Sequence, residues 1–242
     1  MSDQNISTML TLKALSHQRG EGAQSFTLEV PELKVKKGEI IALTGASGSG
    51  KSTLLEIIGL ILKPMSVVEF SLAGHDIEHF WRGGLGSQLS LIRARQLGFV
   101  LQSGGLLPYL SVLDNICLSR KLLGLKLTDP FVLEVCETLG ISHLLKRRPE
   151  QLSIGERQRT AIARALVHKP DLLLADEPTA ALDPFHADQV MELLIKLTQQ
   201  FKLTSIIVTH DWDRVKALGL REVKFTCTRR KNEGTIAVLS ER

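Results

Sequence analysis

A glycine-rich loop between an apolar strand and a helix constrains this sequence more than any other feature. The loop reads Gly45-Ala46-Ser47-Gly48-Ser49-Gly50-Lys51-Ser52, after an apolar run at 40–44 and before a helical pattern at 51–62. Its glycines allow backbone N–H groups to turn inward around phosphate oxygens, and the helix directs the positive end of its dipole at them. The spacing G-x-x-x-x-G-K-[ST] therefore predicts a phosphate-binding loop, in which Lys51 reaches the β- and γ-phosphates and Ser52 binds Mg²⁺.

Strands and helices alternate along most of the chain. Short apolar runs at 40–44, 171–175 and 204–209 predict buried parallel strands, and apolar residues at helical spacing predict a helix at 184–200. Hydrophobic residues make up 43% of the chain and charged residues 23%, a globular composition that excludes a disordered or low-complexity protein. The alternation predicts an α/β fold with a parallel sheet and helices on both faces.

Two regions interrupt this alternation. Residues 8–40 have strand patterns with Gly-rich turns and predict an antiparallel β layer, whereas residues 103–152 have helical patterns and predict an inserted helical subdomain. The catalytic core then consists of 41–102 and 153–220, and 221–242 predicts a C-terminal hairpin that turns at 231–234. We expect 1–242 to form a single domain with these subregions.

Charge, cysteines and hydropathy limit the partners and the compartment. Thirty Lys and Arg against 26 Asp and Glu give a net charge of +4, which is too weak to argue for nucleic acid. Cys117, Cys136 and Cys227 lie far apart and predict neither disulfides nor a zinc site, which favours a reducing compartment. The N-terminus lacks the pattern of a signal peptide, and the chain shows no apolar run long enough to span a membrane.

Two acidic residues end the apolar strand at 172–175. Asp176 is expected at the edge of the sheet beside the phosphate loop, where ligands bind in such folds, and would hold Mg²⁺ directly or through water. Glu177 is the next residue and points in a different direction, so that it can orient and polarise an attacking water. The alternative is a strand that simply ends in a polar turn before Pro178.

The segment Leu152-Ser153-Ile154-Gly155-Glu156-Arg157-Gln158-Arg159 lies at the start of a predicted helix over 154–168. Ser153 and Glu156 have the spacing of a capping box, in which each side chain binds the other residue's backbone N–H. A capped helix N-terminus with a hydroxyl and a glycine N–H is also an anion site. The segment therefore predicts either a structural cap or a phosphate contact.

This octet resembles the signature sequence of ABC-type ATPases, with Ile154 and Glu156 in place of the commoner Gly and Gln. The resemblance covers about 8–215 and keeps the family's order: phosphate loop, Gln102, signature, Asp176 and Glu177, a segment ending in Asp183, and His210. It implies a P-loop NTPase fold, with a RecA-like parallel core sheet flanked by helices, an antiparallel β subdomain and an inserted helical subdomain.

The resemblance also implies how the site works. Two copies, or two paired ATPase subunits, meet head to tail in this family, so that Ser153 and Gly155 would contact the ATP held by the other copy. Asp183 resembles the aspartate that crosses the dimer interface. Gln102 resembles the glutamine that touches Mg²⁺ or the attacking water, next to a Gly-Gly hinge, and His210 resembles the switch histidine that hydrogen-bonds the γ-phosphate.

The expected cofactors are ATP and Mg²⁺, with three sets of residues around them. The catalytic set is Glu177, His210 and Gln102; the metal set is Ser52, Gln102 and Asp176; and the nucleotide-binding set is Gly45, Ala46, Ser47, Gly48, Ser49, Gly50, Lys51, Ser52, Thr53, Arg19, Ser153, Gly155 and Asp183.

The adenine contact departs from the family pattern. The family stacks the base on an aromatic residue ahead of the phosphate loop, but this region holds Leu15-Ser16-His17-Gln18-Arg19-Gly20. Arg19 or His17 lies nearest the expected place. A guanidinium or an imidazole can also stack on a base.

The resemblance implies an ATPase that drives a membrane partner. Residues 97–116 and 148–183 look most like the ATPase subunits of lipoprotein-release and macrolide-efflux exporters, and the loop at 106–110 would receive a helix of an integral membrane permease subunit. The protein would then be cytoplasmic, peripheral on the inner face of the cell membrane, without a nucleic-acid partner. The alternatives are a soluble ABC ATPase of an assembly machine, such as iron–sulfur cluster biogenesis, and a P-loop kinase of a small molecule.

Overall fold

The computed structural model describes residues 8–230 and 234–241, which form ten strands and eight α-helices. The strands are β1 (Thr8–Arg19), β2 (Phe26–Lys36), β3 (Ile40–Thr44), β4 (Glu69–Leu72), β5 (His75–Asp76), β6 (Leu97–Val100), β7 (Leu172–Asp176), β8 (Thr204–Val208), β9 (Arg221–Arg230) and β10 (Gly234–Glu241). The helices are α1 (Lys51–Ile58), α2 (Ile77–Arg82), α3 (Gly86–Gln96), α4 (Val112–Leu122), α5 (Pro130–Thr138), α6 (Ile154–Leu166), α7 (Pro184–Gln200) and α8 (Trp212–Ala217). None of these described helices is long and apolar enough to cross a membrane.

The chain divides into two compact units. The first consists of Met1–Arg93 and Ile206–Arg242, and the second of Ala94–Ser205. The strand β8 contains one of the two boundaries.

The first unit is built on a sheet in which β1 and β2 form a long antiparallel hairpin, from Thr8 opposite Lys36 to Arg19 opposite Phe26. The strand order is β5-β4-β1-β2-β10-β9-β3. The pairs Leu28 with Val30 and Leu33 with Val35 alternate with exposed or partly exposed residues and are fully buried. Within each pair the period is two, and the phase shifts by one residue between Val30 and Leu33.

Residues 69–76 belong to this antiparallel part of the sheet, although the sequence predicts 41–102 as part of the catalytic core. The strand β4 pairs with β1, with Leu10 opposite Leu72 and Leu12 opposite Phe70, and β5 pairs with β4. All four of these apolar side chains are buried. The alternation in β4 is only four residues long, which is too short to reveal its partner in the sequence.

The C-terminal strands β9 and β10 lie between the hairpin of β1 and β2 and the strand β3. The strands β9 and β10 pair antiparallel along their length, β10 also pairs in parallel with β2, and β9 pairs in parallel with β3. The hairpin predicted over 221–242 thus has both strands within the described residues, while residues 231–233 of its predicted turn lie outside them.

The second unit contains the parallel pair β6 and β7, in register from Leu97 opposite Leu172 to Val100 opposite Ala175. Between 103 and 152 the chain forms α4, α5 and two short 3-10 turns, Ser142–Leu144 and Pro149–Gln151. The helix α7 has the predicted bounds and buries one face.

Because Gly98 has no side chain, α6 can pack closely against β6. A Cβ atom at this position would lie 2.3 Å from the carbonyl oxygen of Ala165 in α6, and 3.1 Å from Cγ of Pro170. We expect Gly98→Ala to lower the free energy of unfolding by about 2–3 kcal/mol, because either the strand or the helix must move. Urea unfolding followed by circular dichroism measures the loss. Gly86→Ala is the control, since a Cβ there meets no atom within 4 Å; equal stability of the two variants would contradict the close approach.

Candidate active site

The phosphate loop lies between β3 and α1 in the first unit. The helix begins at Lys51, as the sequence predicts, but ends at Ile58 rather than at residue 62. It ends early because Leu60 adopts a left-handed conformation with φ 58°, and the N–H groups of Ile61 and Leu62 both turn back to the carbonyl of Glu56. This backbone pattern is a common way to end a helix.

Gly50 shows why the loop needs a glycine immediately before the helix. Its φ is 89°, and a Cβ atom would lie 2.9 Å from Cζ of Phe26 and 3.0 Å from Cδ1 of Leu28. The ring of Phe26 therefore packs directly against the loop. Phe26 belongs to no sequence motif; its place opposite Arg19 follows only from the pairing of β1 and β2.

The side chain of Lys51 binds the first two residues of the phosphate loop. The residue is only 5% exposed, and Nζ donates hydrogen bonds to the carbonyl oxygens of Gly45 at 2.9 Å and Ala46 at 2.8 Å. An ammonium group has three donors, so these bonds use two of them. The loop thus fixes a buried positive charge beside its own backbone N–H groups.

Ser49 carries a polar group that fits an anionic ligand. The residue is fully buried, and its Oγ has no hydrogen-bond partner within the part of the chain that the structure describes. This oxygen lies inside the loop, because a Cβ at Gly45 would be 2.8 Å from it. A buried hydroxyl without a partner is unfavourable by about 1–3 kcal/mol, and phosphate oxygens would satisfy it as acceptors.

His210 lies at the carboxyl end of β8, next to β3 in the sheet. The N–H of Thr209 donates to the carbonyl of Leu43 at 3.1 Å, which fixes the end of β8 beside the strand that leads into the phosphate loop. His210 follows and is exposed, and Asp211 then caps α8 by accepting from the N–H of Arg214 at 3.0 Å. The first unit therefore brings His210 and the phosphate loop to the ends of neighbouring strands.

Arg19 is the last residue of β1 and lies close to α1. Its guanidinium forms an ion pair with the carboxylate of Glu56 at 3.3 Å, and both side chains are about half exposed. An exposed pair of this kind adds little stability. His17 is half-buried, and burial together with the charge of Arg19 lowers its pKa. Arg19 is thus the more accessible of the two candidates for the adenine.

The strand ends of the second unit bring Gln102, Asp176 and Glu177 to one edge. Val100 lies opposite Ala175, and β6 and β7 run in the same direction, so the residues that follow them leave the same edge of the sheet. Glu177 has a φ of 44°, which is uncommon for a residue with a side chain. The backbone therefore leaves the extended conformation at Glu177, and strain of this kind is concentrated at functional sites.

The signature segment forms the predicted capping box at the start of α6. The Oγ of Ser153 accepts from the N–H of Glu156 at 3.2 Å, and the carboxylate of Glu156 accepts from the N–H of Ser153 at 2.7 Å. The hydrogen bond from Ser153 lowers the pKa of Glu156 and keeps it ionised. Ile154 is 56% exposed, whereas Gly155 is buried.

Asp183 caps α7 in the second unit. One carboxylate oxygen accepts from the N–H of His186 at 3.3 Å, and the other lies 2.6 Å from Nδ1 of the same residue. The hydrogen bond from the His186 side chain is the main reason why the pKa of Asp183 is lowered. Both side chains are more than half exposed, so they lie on a surface that a partner can reach.

Comparison with known proteins identifies the family. The family model described as ABC transporter matches residues 28–180. The lipoprotein-releasing system ATP-binding protein LolD of Idiomarina loihiensis is 38% identical over 230 residues, which cover 93% of this chain and 98% of that protein. The LolD protein of Legionella pneumophila (strain Lens) is 39% identical over 206 residues, which cover 84% and 88%.

Solved structures show the same relationship. A dimeric post-hydrolysis state of the ATP-binding cassette MJ0796, bound to ADP and Pi, has a TM-score of 0.77 and 34% identity, covering 89% of this chain and 94% of that one. CbiO1 of Clostridium perfringens, part of the ABC transporter complex CbiONQ, has a TM-score of 0.76 and 28% identity, covering 97% and 87%. These likenesses confirm the predicted α/β P-loop NTPase fold with its antiparallel β and helical subdomains. The chain therefore belongs to the ABC transporter family, and it is an ATPase subunit of that family.

Proposed function

We propose that this ATPase pairs head to tail with a second copy around two ATP molecules, and that it drives a membrane partner in export or in extraction of lipid or lipoprotein. The observation that carries the proposal is the N-terminus of α6. There Ser153 caps the helix and is exposed, and Gly155 follows in the first turn. In this proposal 1–242 acts as one ATPase domain.

The nucleotide phosphates would be held by 45–53. The buried ammonium of Lys51 and the buried hydroxyl of Ser49 support this assignment. Ser52 and Asp176, with Gln102, would hold Mg²⁺; a hydroxyl, a carboxylate and an amide are oxygen donors that suit this ion. Bound there, Mg²⁺ would neutralise the charge that develops on the phosphate oxygens.

Hydrolysis would depend on positioning rather than on covalent help from the protein. Glu177 would orient the attacking water and accept its proton, and Gln102 would help to place that water. His210 would hydrogen-bond the γ-phosphate. The left-handed backbone at Glu177 supports a functional role for this residue, because strained backbone of this kind is concentrated at functional sites.

The second copy would complete the site. The hydroxyl of Ser153 would donate to a γ-phosphate oxygen of the ATP held by the other copy, and the N–H of Gly155 would add a second donor. Glu156 is bound to backbone in the capping box, which keeps its negative charge beside α6 rather than toward a phosphate. Asp183 would reach the interface from the exposed start of α7.

The membrane partner would be an integral permease subunit that inserts a helix beside 106–110, with the ATPase on the cytoplasmic face of the cell membrane. The LolD relatives, which belong to lipoprotein-releasing systems, favour this function over a soluble assembly ATPase. A small-molecule kinase would leave the signature segment without a role.

Purification of the tagged chain from detergent-solubilised membranes of its own source tests this function. We expect an integral membrane protein to co-purify and ATP turnover to be several-fold higher in the complex than in the isolated chain. A chain that is recovered alone and turns over ATP at the same rate with and without the membrane fraction would contradict the proposal. Co-purification with a soluble scaffold would favour the assembly ATPase instead.

Arg19→Ala is expected to weaken ATP binding by about 5- to 30-fold, because a stacked guanidinium contributes about 1–2 kcal/mol. Equilibrium binding of a fluorescent ATP analogue labelled on the ribose measures the change. Arg19→Lys is the matched control for charge: it keeps the ion pair with Glu56 but not the planar group. Stacking predicts that both variants lose affinity, whereas unchanged affinity in Arg19→Ala would dismiss the role of Arg19.

A further inference from the structure

Side chains of α6 hold the backbone that follows Gln102. The guanidinium of Arg164 donates two hydrogen bonds, from Nη1 to the carbonyl of Gly105 and from Nη2 to the carbonyl of Gly104, each at 2.7 Å. A planar fork of this kind fixes direction as well as distance, which a single ammonium group does not. Burial lowers the pKa of Arg164, in keeping with a guanidinium enclosed by the chain.

The backbone conformation of the two glycines allows Arg164 to bind both carbonyl groups. Gly104 and Gly105 have positive φ values of 70° and 56°, and both of their carbonyl groups face the guanidinium of Arg164. A Cβ at Gly104 would find only ordinary contacts, the nearest being Oε1 of Gln158 at 3.5 Å. At Gly104 the conformation rather than the available space therefore requires glycine, whereas a Cβ at Gly105 would also lie 3.1 Å from Cδ1 of Leu101.

A second side chain of α6 holds the residue before Gln102. Nε2 of Gln158 donates to the carbonyl of Leu101 at 3.3 Å. The backbone on both sides of Gln102 is thus bound to α6, the helix that begins at the signature residue Ser153.

The next segment is held from α4. Asn115 is fully buried; its side chain accepts from the N–H of Leu107 at 2.7 Å and donates to the carbonyls of Leu107 at 3.0 Å and Leu110 at 3.3 Å. The loop proposed to receive the membrane partner is therefore anchored immediately after the two glycines. A displacement of this loop would act on the Arg164 contacts through only one or two residues.

We propose that Arg164 is a positioning residue for hydrolysis. Its bonds to Gly104 and Gly105 fix the position of Gln102 relative to α6, and so link the loop at 106–110 to Ser153. This inference rests on the proposed function, in which Gln102 places the attacking water and Ser153 contacts the ATP of the other copy. Arg164 itself touches neither water nor nucleotide in this account.

Arg164→Ala tests the proposal in the full-length chain. We expect kcat to fall about 10- to 100-fold, since small displacements of a positioning group have effects of this size, while KM and the affinity for a fluorescent ATP analogue stay within two-fold of the wild type. Hydrogen exchange followed by mass spectrometry is expected to become at least tenfold faster at 103–107 and to stay unchanged across 154–166. Arg164→Lys should recover only part of kcat, because a lysine does not reproduce the fork.

Arg93→Ala is the matched control. Its guanidinium also donates to a backbone carbonyl, that of Leu60 at 2.7 Å, in a segment without predicted site residues, and kcat should not change. The proposal is overturned if Arg164→Ala keeps kcat within two-fold of the wild type. It is equally overturned if kcat falls together with ATP affinity and with faster exchange across 154–166, because that result shows a structural role only. Lys51→Ala in the same series tests the proposed function separately: full turnover by that variant would reject the site, whatever Arg164 does.

Discussion

Lys51→Ala is expected to reduce ATP turnover by about 100- to 1000-fold, the size of effect seen when one preorganised group that stabilises developing charge is removed. The side chain is buried, and its two bonds to Gly45 and Ala46 hold the ammonium within the phosphate loop. Alanine removes this charge and also leaves both carbonyls without their donor. Phosphate release at saturating ATP and equilibrium binding of a fluorescent ATP analogue measure the two losses.

Lys63→Ala is the control for the loss of a lysine in the same unit, since the ammonium group of Lys63 donates to an exposed carbonyl, that of Trp81, at 3.5 Å. We expect this variant to keep wild-type turnover. Turnover of Lys51→Ala within two-fold of the wild type would mean that the loop does not hold the reacting phosphates.

Glu177→Gln is expected to lower kcat by about 100- to 10 000-fold, the usual contribution of a general base, while ATP affinity is retained. The amide has nearly the size of the carboxylate and meets the same left-handed backbone, so the strand end keeps its shape. ATP that binds but is not hydrolysed should then hold two copies together. Light scattering after gel filtration at saturating ATP should give twice the 26.7 kDa of one chain.

Glu192→Gln, an exposed substitution on α7, is the matched control and should hydrolyse ATP like the wild type. A Glu177→Gln variant that stays monomeric at saturating ATP would contradict pairing around the nucleotide. A variant that hydrolyses ATP normally would remove Glu177 from its proposed role.

Local patterns predicted the parts of the site that depend on nearby residues. The phosphate loop, the capping box of Ser153 and Glu156 and the acidic end of β7 each need only a few consecutive residues, and each has its expected local structure. The roles of Gln102 and His210 came from the order of motifs in the family, and their chemistry stays a prediction.

Contacts between distant segments could not be predicted in this way. The parallel pairing of β10 with β2 joins residues about as far apart as the chain allows, and neither strand carries a signal for the other. Phe26 packs against Gly50 only because the hairpin of β1 and β2 returns it to the loop. The bonds of Arg164 to Gly104 and Gly105 cross about sixty positions, so the Gly-Gly pair suggested a hinge but not the residue that holds it.

The replacements in the signature have a partial explanation. Glu156 forms a capping box, as a glutamine also could, so its charge does not disturb the helix start. Ile154 is exposed, so its side chain does not fill the core, and nothing in the structure explains its choice over glycine.

A complementation experiment tests the paired site most directly, with Lys51→Ala and Gly155→Asp as the two variants. Asp is compatible with the first turn of α6, and the nearest atom to a Cβ at Gly155 is Nη1 of Arg159 at 3.8 Å, so the fold should persist. The new carboxylate would repel the γ-phosphate of the other copy. In a mixed dimer one site combines an intact loop with an intact signature, and the other carries both substitutions.

Phosphate release by each variant alone and by their equimolar mixture is the measurement. We predict little turnover from either variant and, for random pairing in a symmetric dimer, about a quarter of the wild-type rate from the mixture. A mixture no more active than the sum of its parts, or Gly155→Asp turning over ATP alone at the wild-type rate, would contradict a nucleotide enclosed by two copies.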